Sequence, residues 1–348
     1  MNILQSKVLI SPLNWGLGHA TRCIPLIDSF IEKEWEVVLA SDGEALELLK
    51  KEYPDLRFSE ITSYKIKYPF SNAVINMIYN AWSFLKAINK ENSEINHLLQ
   101  NEKFDLLISD NRYGVRNRKI KSIFIGHQIN LKTGSMILSK LASWVNKRMI
   151  RNFDELWIPD YKGSDSIAGD LSAPISKMRT KFIGPLSRFE RKEIDPDIDI
   201  CAVLSGPEPQ RGRFEKQLIE QLSQLDESTV IISGRVDDST DKMLNESTRL
   251  IGHLTSEALN DYINRSRIVI ARSGYSTIMD LLKLDKMAIL IPTPGQSEQV
   301  YLAKKLENHP LFITQRQKKI NVPIALEELT RREQRAHLQG NFDVEYYL

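Results

Sequence analysis

Short apolar runs alternate with longer amphipathic stretches along most of this chain. Val8–Ser11 reads as a buried strand. Ala20 to Lys33 follows, with Ile24, Leu26, Ile27, Phe30 and Ile31 recurring at helical spacing. Glu36–Ala40 predicts the next strand, and Asp42-Gly43 starts a helix that runs through Lys51. Phe104–Ser109, Ser122–Gly126 and Leu156–Ile158 are further apolar runs bounded by polar turns, as strands buried on both faces of a parallel sheet should be.

The pattern starts again near Ile200. Ile200–Ser205 predicts a strand, Arg213–Leu225 a helix, Thr229–Ser233 a strand and Glu257–Asn264 a short helix. Arg267-Ile268-Val269-Ile270 is the next apolar run. A helix from Thr277 to Leu284, a strand Met287–Ile291 and a polar loop ending Gln296-Ser297-Glu298-Gln299 complete the series. Between the two series, Phe189 to Asp199 is charged and proline-bearing, which suits an exposed linker. The expected organisation is an α/β protein of two doubly wound, Rossmann-like domains facing each other across a cleft. Residues 1–188 form the first domain, 189–199 the linker, 200–325 the second domain and 326–348 a helical tail. In such sheets ligands bind outside the carboxyl ends of the strands.

Composition is that of a globular protein, with 42% hydrophobic and 26% charged residues. A net charge of +2 gives no global field toward nucleic acid. Cys23 and Cys201 lie far apart, make no metal spacing, and read as reduced core residues. The first strand arrives without a charged leader and cleavage site, and no apolar run reaches the ~18–20 residues that cross a bilayer, so a cytoplasmic protein is expected. Charge is uneven, however: residues 111–153 hold ten Lys/Arg and no Asp or Glu. Within them, Thr133 to Arg151 sets Met136, Ile137, Leu141, Trp144 and Val145 among Lys140, Lys147, Arg148 and Arg151. That pattern fits either a helix lying at an anionic membrane surface or an ordinary core helix with a solvated basic edge. Val74 to Ile88 adds Ile75, Ile78, Tyr79, Trp82, Phe84 and Leu85, more apolar surface than one buried face needs.

Two glycine loops carry the candidate chemistry. Asn14-Trp15-Gly16-Leu17-Gly18-His19 follows the first strand and permits close backbone approach at a helix start. It lacks the third glycine of the dinucleotide fingerprint, and no strand ending in an acid follows about 20 residues on, which argues against NAD. The helix start disfavours an imidazolium at His19, so that side chain is the candidate general base, against the plainer reading of a helix cap. Asp110, after the third predicted strand of this half, is the second candidate base, against a turn role. In the other half, Ala271-Arg272-Ser273-Gly274-Tyr275 stands between strand and helix and offers N–H groups to a phosphate. Asp195-Pro196-Asp197-Ile198-Asp199 contains Asp-x-Asp twice but lies in the linker, and no metal or cofactor is expected.

Four segments together resemble glycosyltransferases of the GT-B architecture, specifically family 28, the MurG-like type. Gly16-Leu17-Gly18-His19 is similar to the family's glycine loop ending in Gly-His. Gly126-His127-Gln128-Ile129-Asn130 resembles its His-Glu-Gln-Asn segment, with Gln128 in place of the acid. Phe182-Ile183-Gly184-Pro185-Leu186-Ser187-Arg188 resembles its Gly-Asn-Pro-Val-Arg segment. Ala271 to Gly274 with Asp280, then Pro292 and Gln299, resembles its donor-binding block over nearly thirty positions.

The resemblance implies an inverting, metal-independent transfer of a hexosyl group, N-acetylhexosaminyl included, from a UDP-sugar to a hydroxyl of a lipid-linked, glycan or other cell-envelope acceptor. His19 or Asp110 would be the base, with Gly16, Gly18, His127 and Asn130 on the acceptor side. Arg188 and the backbone N–H groups of Ser273, Gly274 and Tyr275 would hold the diphosphate, with Arg272 in the same donor-binding loop, and Asp280, one methylene shorter than the family's glutamate, the ribose. Glu298 and Gln299 would read the sugar, with Val300 where the family has a second glutamine. Gly206 and Arg211 belong to a loop stiffened by Pro207 and Pro209, where Arg211 would reach phosphate, and His253-Leu254 would line the base pocket. Location at the inner face of the membrane with peripheral contact goes with a lipid-linked acceptor. The rival readings are a sugar-nucleotide epimerase of the same architecture and a non-catalytic sugar-nucleotide-binding protein.

Overall fold

The computed structural model describes residues 5–64, 73–133, 135–163, 166–235 and 238–339. The chain divides into two compact units, Met1–Leu186 and Ser187–Leu348, each built on its own seven-stranded sheet.

In unit 1 the strands are β1 (Lys7–Pro12), β2 (Glu36–Ser41), β3 (Arg57–Glu60), β4 (Leu106–Asp110), β5 (Lys121–Ile125), β6 (Glu155–Ile158) and β7 (Arg179–Phe182), all parallel, in the order β3-β2-β1-β4-β5-β6-β7. The helices are α1 (Gly18–Glu32), α2 (Gly43–Glu52), α3 (Ala73–Asn101) and α4 (Met136–Ile150). Period-two alternation sends β1 side chains to two cores. Val8 and Ile10 pack with Cys23 and Ile27 of α1 and Leu49 of α2, whereas Leu9 packs with Ile95 of α3 and Leu107 of β4. Strand order reverses between β1 and β4, paired from Val8↔Leu106 to Pro12↔Asp110, so the loops after these two strands open side by side.

Unit 2 repeats the plan with β8 (Ile198–Val203), β9 (Thr229–Ile232), β10 (Asp241–Met243), β11 (Thr248–Ile251), β12 (Ser266–Ala271), β13 (Met287–Leu290) and β14 (Phe312–Thr314), ordered β10-β11-β9-β8-β12-β13-β14. Only β10 is antiparallel. Its helices are α5 (Gln210–Leu222), α6 (Ser256–Asn264), α7 (Tyr275–Lys283), α8 (Ser297–Lys305) and α9 (Val322–Gln339). Phe214 and Leu218 of α5 pack with Val322, Ala325 and Leu329 of α9 on one face of the sheet. The start of the helix expected as a tail is therefore part of this core. The reversal point here lies between β8 and β12.

Several elements carry no clear sequence pattern. Strands β3, β7 and β10 are short edge strands in which no residue is fully buried. The polar run Ser297–Gln299, read as loop, opens α8. Cys23 and Cys201 are both buried and unpaired, and burial pushes both thiols up, Cys201 to about 12. The Asp-x-Asp carboxylates are engaged: Asp197 pairs with Arg265 and Asp199 accepts from the Ser228 amide. Side chains of Ile75, Ile78 and Tyr79, and the tail residues after 339, lie outside the described residues.

Candidate active site

The loop after β1 and the end of β4 meet in a cluster built on Asp110, which is fully buried. The His19 ring places Nδ1 3.2 Å from Asp110 Oδ2, and Arg22 Nε donates to the same oxygen at 2.7 Å. A second Arg22 nitrogen bonds Asp110 Oδ1, and its Nη1 lies 3.0 Å from His127 Nδ1. Positions 19, 22 and 23 share one face of α1, which is why His19, Arg22 and the Cys23 thiol all reach one carboxylate. Burial alone would push the Asp110 carboxyl up. The charge of Arg22, with His19 beside it, holds it well below the usual carboxylate range instead.

Asp110 is therefore corrected as a candidate base: it is fully buried and its oxygens are committed to Arg22. It orients His19. With Nδ1–H directed at Asp110, Nε2 is left as the acceptor nitrogen of a side chain that is 18% exposed. Gly16, at φ +84°, allows the preceding turn, and a Cβ there would meet nothing within 4 Å. Gly18 is the first residue of α1, whose N-terminus has no side-chain cap. His127 and Asn130, expected on the acceptor side, serve the scaffold. His127 is buried against Arg22, and Asn130 Nδ2 donates to the Asp170 carbonyl at 2.6 Å.

Sequence reading missed Arg22, although its spacing from His19 was the available signal. A second buried ionic cluster was also missed, two residues beyond Asp110. Arg112 donates from Nη1 to Asp42 Oδ1 at 2.6 Å, from Nε to Glu91 Oε1 at 2.5 Å and from Nη2 to the Thr62 carbonyl at 2.5 Å. Glu91 also accepts from Tyr64 Oη and from the Gly114 amide, the latter at 2.7 Å. This cluster ties the ends of β1, β2 and β4 to α3 from beneath.

In unit 2 the donor-like loop begins at Arg272, which corrects an expectation. Its guanidinium turns inward, 4.0 Å from the Phe214 ring centroid, and donates to Gln317 Oε1 at 2.9 Å and to the Gln210 carbonyl at 3.2 Å. Only 1% exposed, its side chain braces loops. Arg211 is corrected likewise, since it bonds the Ser233 carbonyl at 2.9 Å and Glu208 at 2.6 Å and so closes its own proline loop, which turns at Gly206. Ser273 is buried, and its hydroxyl donates to the Gln299 carbonyl at 3.0 Å. The Gln299 side chain is held too: Oε1 accepts from the Thr293 amide at 2.7 Å and Nε2 donates to Gln296 at 2.8 Å. Glu298 is half-buried beside it. Gly274 is the N-cap of α7, Tyr275 its first residue, and no side chain caps that start. By contrast Thr255 caps α6. His253 is exposed, while half-buried Leu254 packs against the core beside it.

Asp280, one turn inside α7, accepts from Ser187 Oγ at 2.6 Å, and Arg188 Nη1 donates to Ser256 Oγ at 2.6 Å. Burial raises the Asp280 carboxyl to about 7, with the Ser187 bond and the Arg188 charge opposing it. A carboxyl raised above its ordinary 3.8 stabilises the fold below that ordinary value, and the contribution is lost as pH rises through about 7. Asp280→Asn is expected to raise the melting point at pH 8, by an amount set by a penalty of order 1–4 kcal/mol, and to leave it unchanged at pH 5. Scanning calorimetry at the two pH values checks this; equal shifts at both would refute it.

Residues 212–341 match the model of the glycosyltransferase family 28 C-terminal domain. Among curated proteins, two described as uncharacterized glycosyltransferases of Methanosarcina acetivorans are similar. One is 25% identical over 312 residues, covering 84% of this chain and 81% of its own; the other is 23% identical over 330 residues, covering 87% and 81%. Among solved structures, the kitacinnamycin glycotransferase aligns with a TM-score of 0.66 at 14% identity, covering 93% of this chain and 90% of that one. MurG of Acinetobacter baumannii aligns at 0.57 and 14%, covering 94% and 92%. The rhamnosyltransferase SpnG complexed with thymidine diphosphate aligns at 0.60 and 14%, covering 88% and 86%. The architecture is GT-B, the second unit carries the family 28 C-terminal domain, and the chain is a glycosyltransferase.

Proposed function

We propose that this glycosyltransferase moves a hexosyl group, N-acetylhexosaminyl included, from a UDP-sugar to a hydroxyl of a lipid-linked or other cell-envelope acceptor, with inversion and without a metal. The observation that carries the reading is the His19–Asp110–Arg22 arrangement. A partly exposed imidazole is oriented by a carboxylate that Arg22 keeps ionised. In the proposed step His19 Nε2 takes the proton of the acceptor hydroxyl as that oxygen attacks the anomeric carbon. The bond from that carbon to the diphosphate breaks, and UDP leaves with the electron pair.

Unit 2 holds the donor in this reading. The N–H groups at the uncapped α7 start, Gly274 and Tyr275 among them, and the nearby Arg188 charge receive the diphosphate, where negative charge grows. Asp280 accepts ribose hydroxyls. Glu298 and the braced Gln299 stand at the sugar, and the loops at Gly206 and at His253-Leu254 at the uracil. Unit 1 holds the acceptor, with Gly16 and Gly18 leaving room for it. The reading places the protein on the cytoplasmic side, at the inner face of the membrane. An epimerase would need a carboxylate facing the donor sugar from unit 1, and Asp110 is too deeply engaged with Arg22 to serve.

A panel of UDP- and TDP-sugars, screened by thermal shift and by hydrolysis with and without EDTA, tests the proposal. UDP-sugars are expected to stabilise the protein, to be hydrolysed slowly regardless of EDTA, and to release the inverted anomer by NMR. Retention, or activity abolished by EDTA and restored by a divalent cation, would overturn it.

A further inference from the structure

Unit 2 holds a cavity of about 450 Å³ between α5 and the segments that follow β13 and β14. A volume of that order takes a small organic ligand. Arg213, Lys216 and Gln217 of α5 line it, with Pro294 after β13 and Gln317-Lys318 after β14.

Charge around the cavity is one-sided. Arg213, Lys216 and Lys318 are all exposed. Among the described residues the acid on the lining is Glu220, which stands 3.9 Å from Lys216, and neither Arg213 nor Lys318 meets a carboxylate. Behind the lining lies a fourth cation. Buried Arg272 reaches two lining residues, donating to Gln317 Oε1 at 2.9 Å and to the Gln210 carbonyl at 3.2 Å. Its Nε has no hydrogen-bond partner, and no acid pairs with it among the described residues. The Phe214 ring and the carbonyl oxygens offset its burial only in part. Burial lowers the guanidinium to about 10, with no neighbouring carboxylate opposing the shift. Buried charges are ordinarily paired, so this one lacks a counter-ion.

Two amides are unsatisfied as well. Gln317, only 6% exposed, gives Oε1 to Arg272, and its NH₂ has no partner among the described residues. The Gln217 amide has none at either end, and its Oε1 is buried. A buried polar group without a bond is costly, and a ligand hydroxyl can both donate to and accept from an amide.

We infer that the cavity binds a small phosphorylated ligand that also carries hydroxyls, the chemistry of a sugar phosphate. Arg213 and Lys318 meet the phosphate, whose charge also supplies the counter-ion that Arg272 lacks. The Gln217 and Gln317 amides take the hydroxyls. Inorganic phosphate answers the cations alone and a neutral sugar the amides alone, so each binds less tightly than a ligand with both. The inference stands without the proposed transfer, because these residues serve neither donor nor base there.

Calorimetric titration of the full chain with glucose 6-phosphate, inorganic phosphate and glucose tests it. Glucose 6-phosphate is expected to bind about tenfold or more tightly than phosphate, and glucose more weakly still. Arg213→Glu with Lys318→Glu is expected to weaken the hexose phosphate by about tenfold or more, and Gln217→Leu to bring it to the affinity of phosphate. Both charges are exposed, so the double variant should melt with the parent. Saturating UDP is expected to leave the titration unchanged, which separates this cavity from the proposed donor groups. No binding at millimolar glucose 6-phosphate overturns the inference. So does phosphate that binds as tightly, a double variant that titrates as the parent does, or displacement by UDP.

Discussion

His19→Ala is expected to lower kcat by about 10²–10⁴-fold while leaving the affinity for UDP unchanged. On the proposed function the loss follows from removing the proton acceptor, and the spared affinity from unit 2 holding the donor. Asp110→Asn should cost a comparable factor through another route. An amide in place of the carboxylate can present its NH₂ to His19 Nδ1 and so favour the tautomer that carries the proton on Nε2, which cannot accept from the acceptor. It also leaves Arg22, only 3% exposed, without its counter-ion, so Asp110→Asn should melt lower while His19→Ala should not. Steady-state kinetics with calorimetric UDP titration separates the roles. If His19→Ala kept full turnover, the base would have to be sought elsewhere.

Arg112→Ala is expected to destabilise unit 1 by about 3–5 kcal/mol, because it strands Glu91 and Asp42 without their partner. The deficit should depend on pH. Burial already raises the Glu91 carboxyl with Arg112 opposing that rise, so loss of Arg112 raises it further. A carboxyl raised in the folded state is less costly when protonated, so the variant should recover part of its stability as pH falls toward 5. Urea denaturation at pH 8 and pH 5 measures both quantities. A loss under about 1 kcal/mol, within the range of ordinary surface substitutions, would mean that the cluster is hydrated and not a structural clasp. Because the cluster lies beneath the ends of β1, β2 and β4, partial loosening should also lower kcat through a displaced Asp110.

Much of this fold was legible from local pattern. Continuous apolar runs at Val8, Phe104, Ile200 and Ile268 could only be strands covered on both faces, and glycine loops behind two of them marked the ends where sheets bind ligands. His19 and Asp280 could be proposed because short-range spacing places a side chain relative to its own helix start. Arg272 shows the limit. Its neighbours in sequence suggested phosphate, but a long side chain can point either way. The Phe214 ring and Gln317, 58 and 45 positions away, turned it inward.

Periodicity is a local property of the chain, so it suffices for the two α/β series, their loops and the residues within a turn or two of each helix start. Which charges are neutralised depends instead on packing between distant segments. Asp110 is a buried, ion-paired carboxylate because Arg22, 88 positions away, meets it at the β1/β4 edge, and burial raises Asp280 to about 7. Packing also decided which face of α4 turns inward. Ser143 and Asn146 find backbone partners on one side, which leaves Trp144 and Ile137 facing out. Amphipathic spacing states that a helix has two faces, and only the packed partners determine which one is inside.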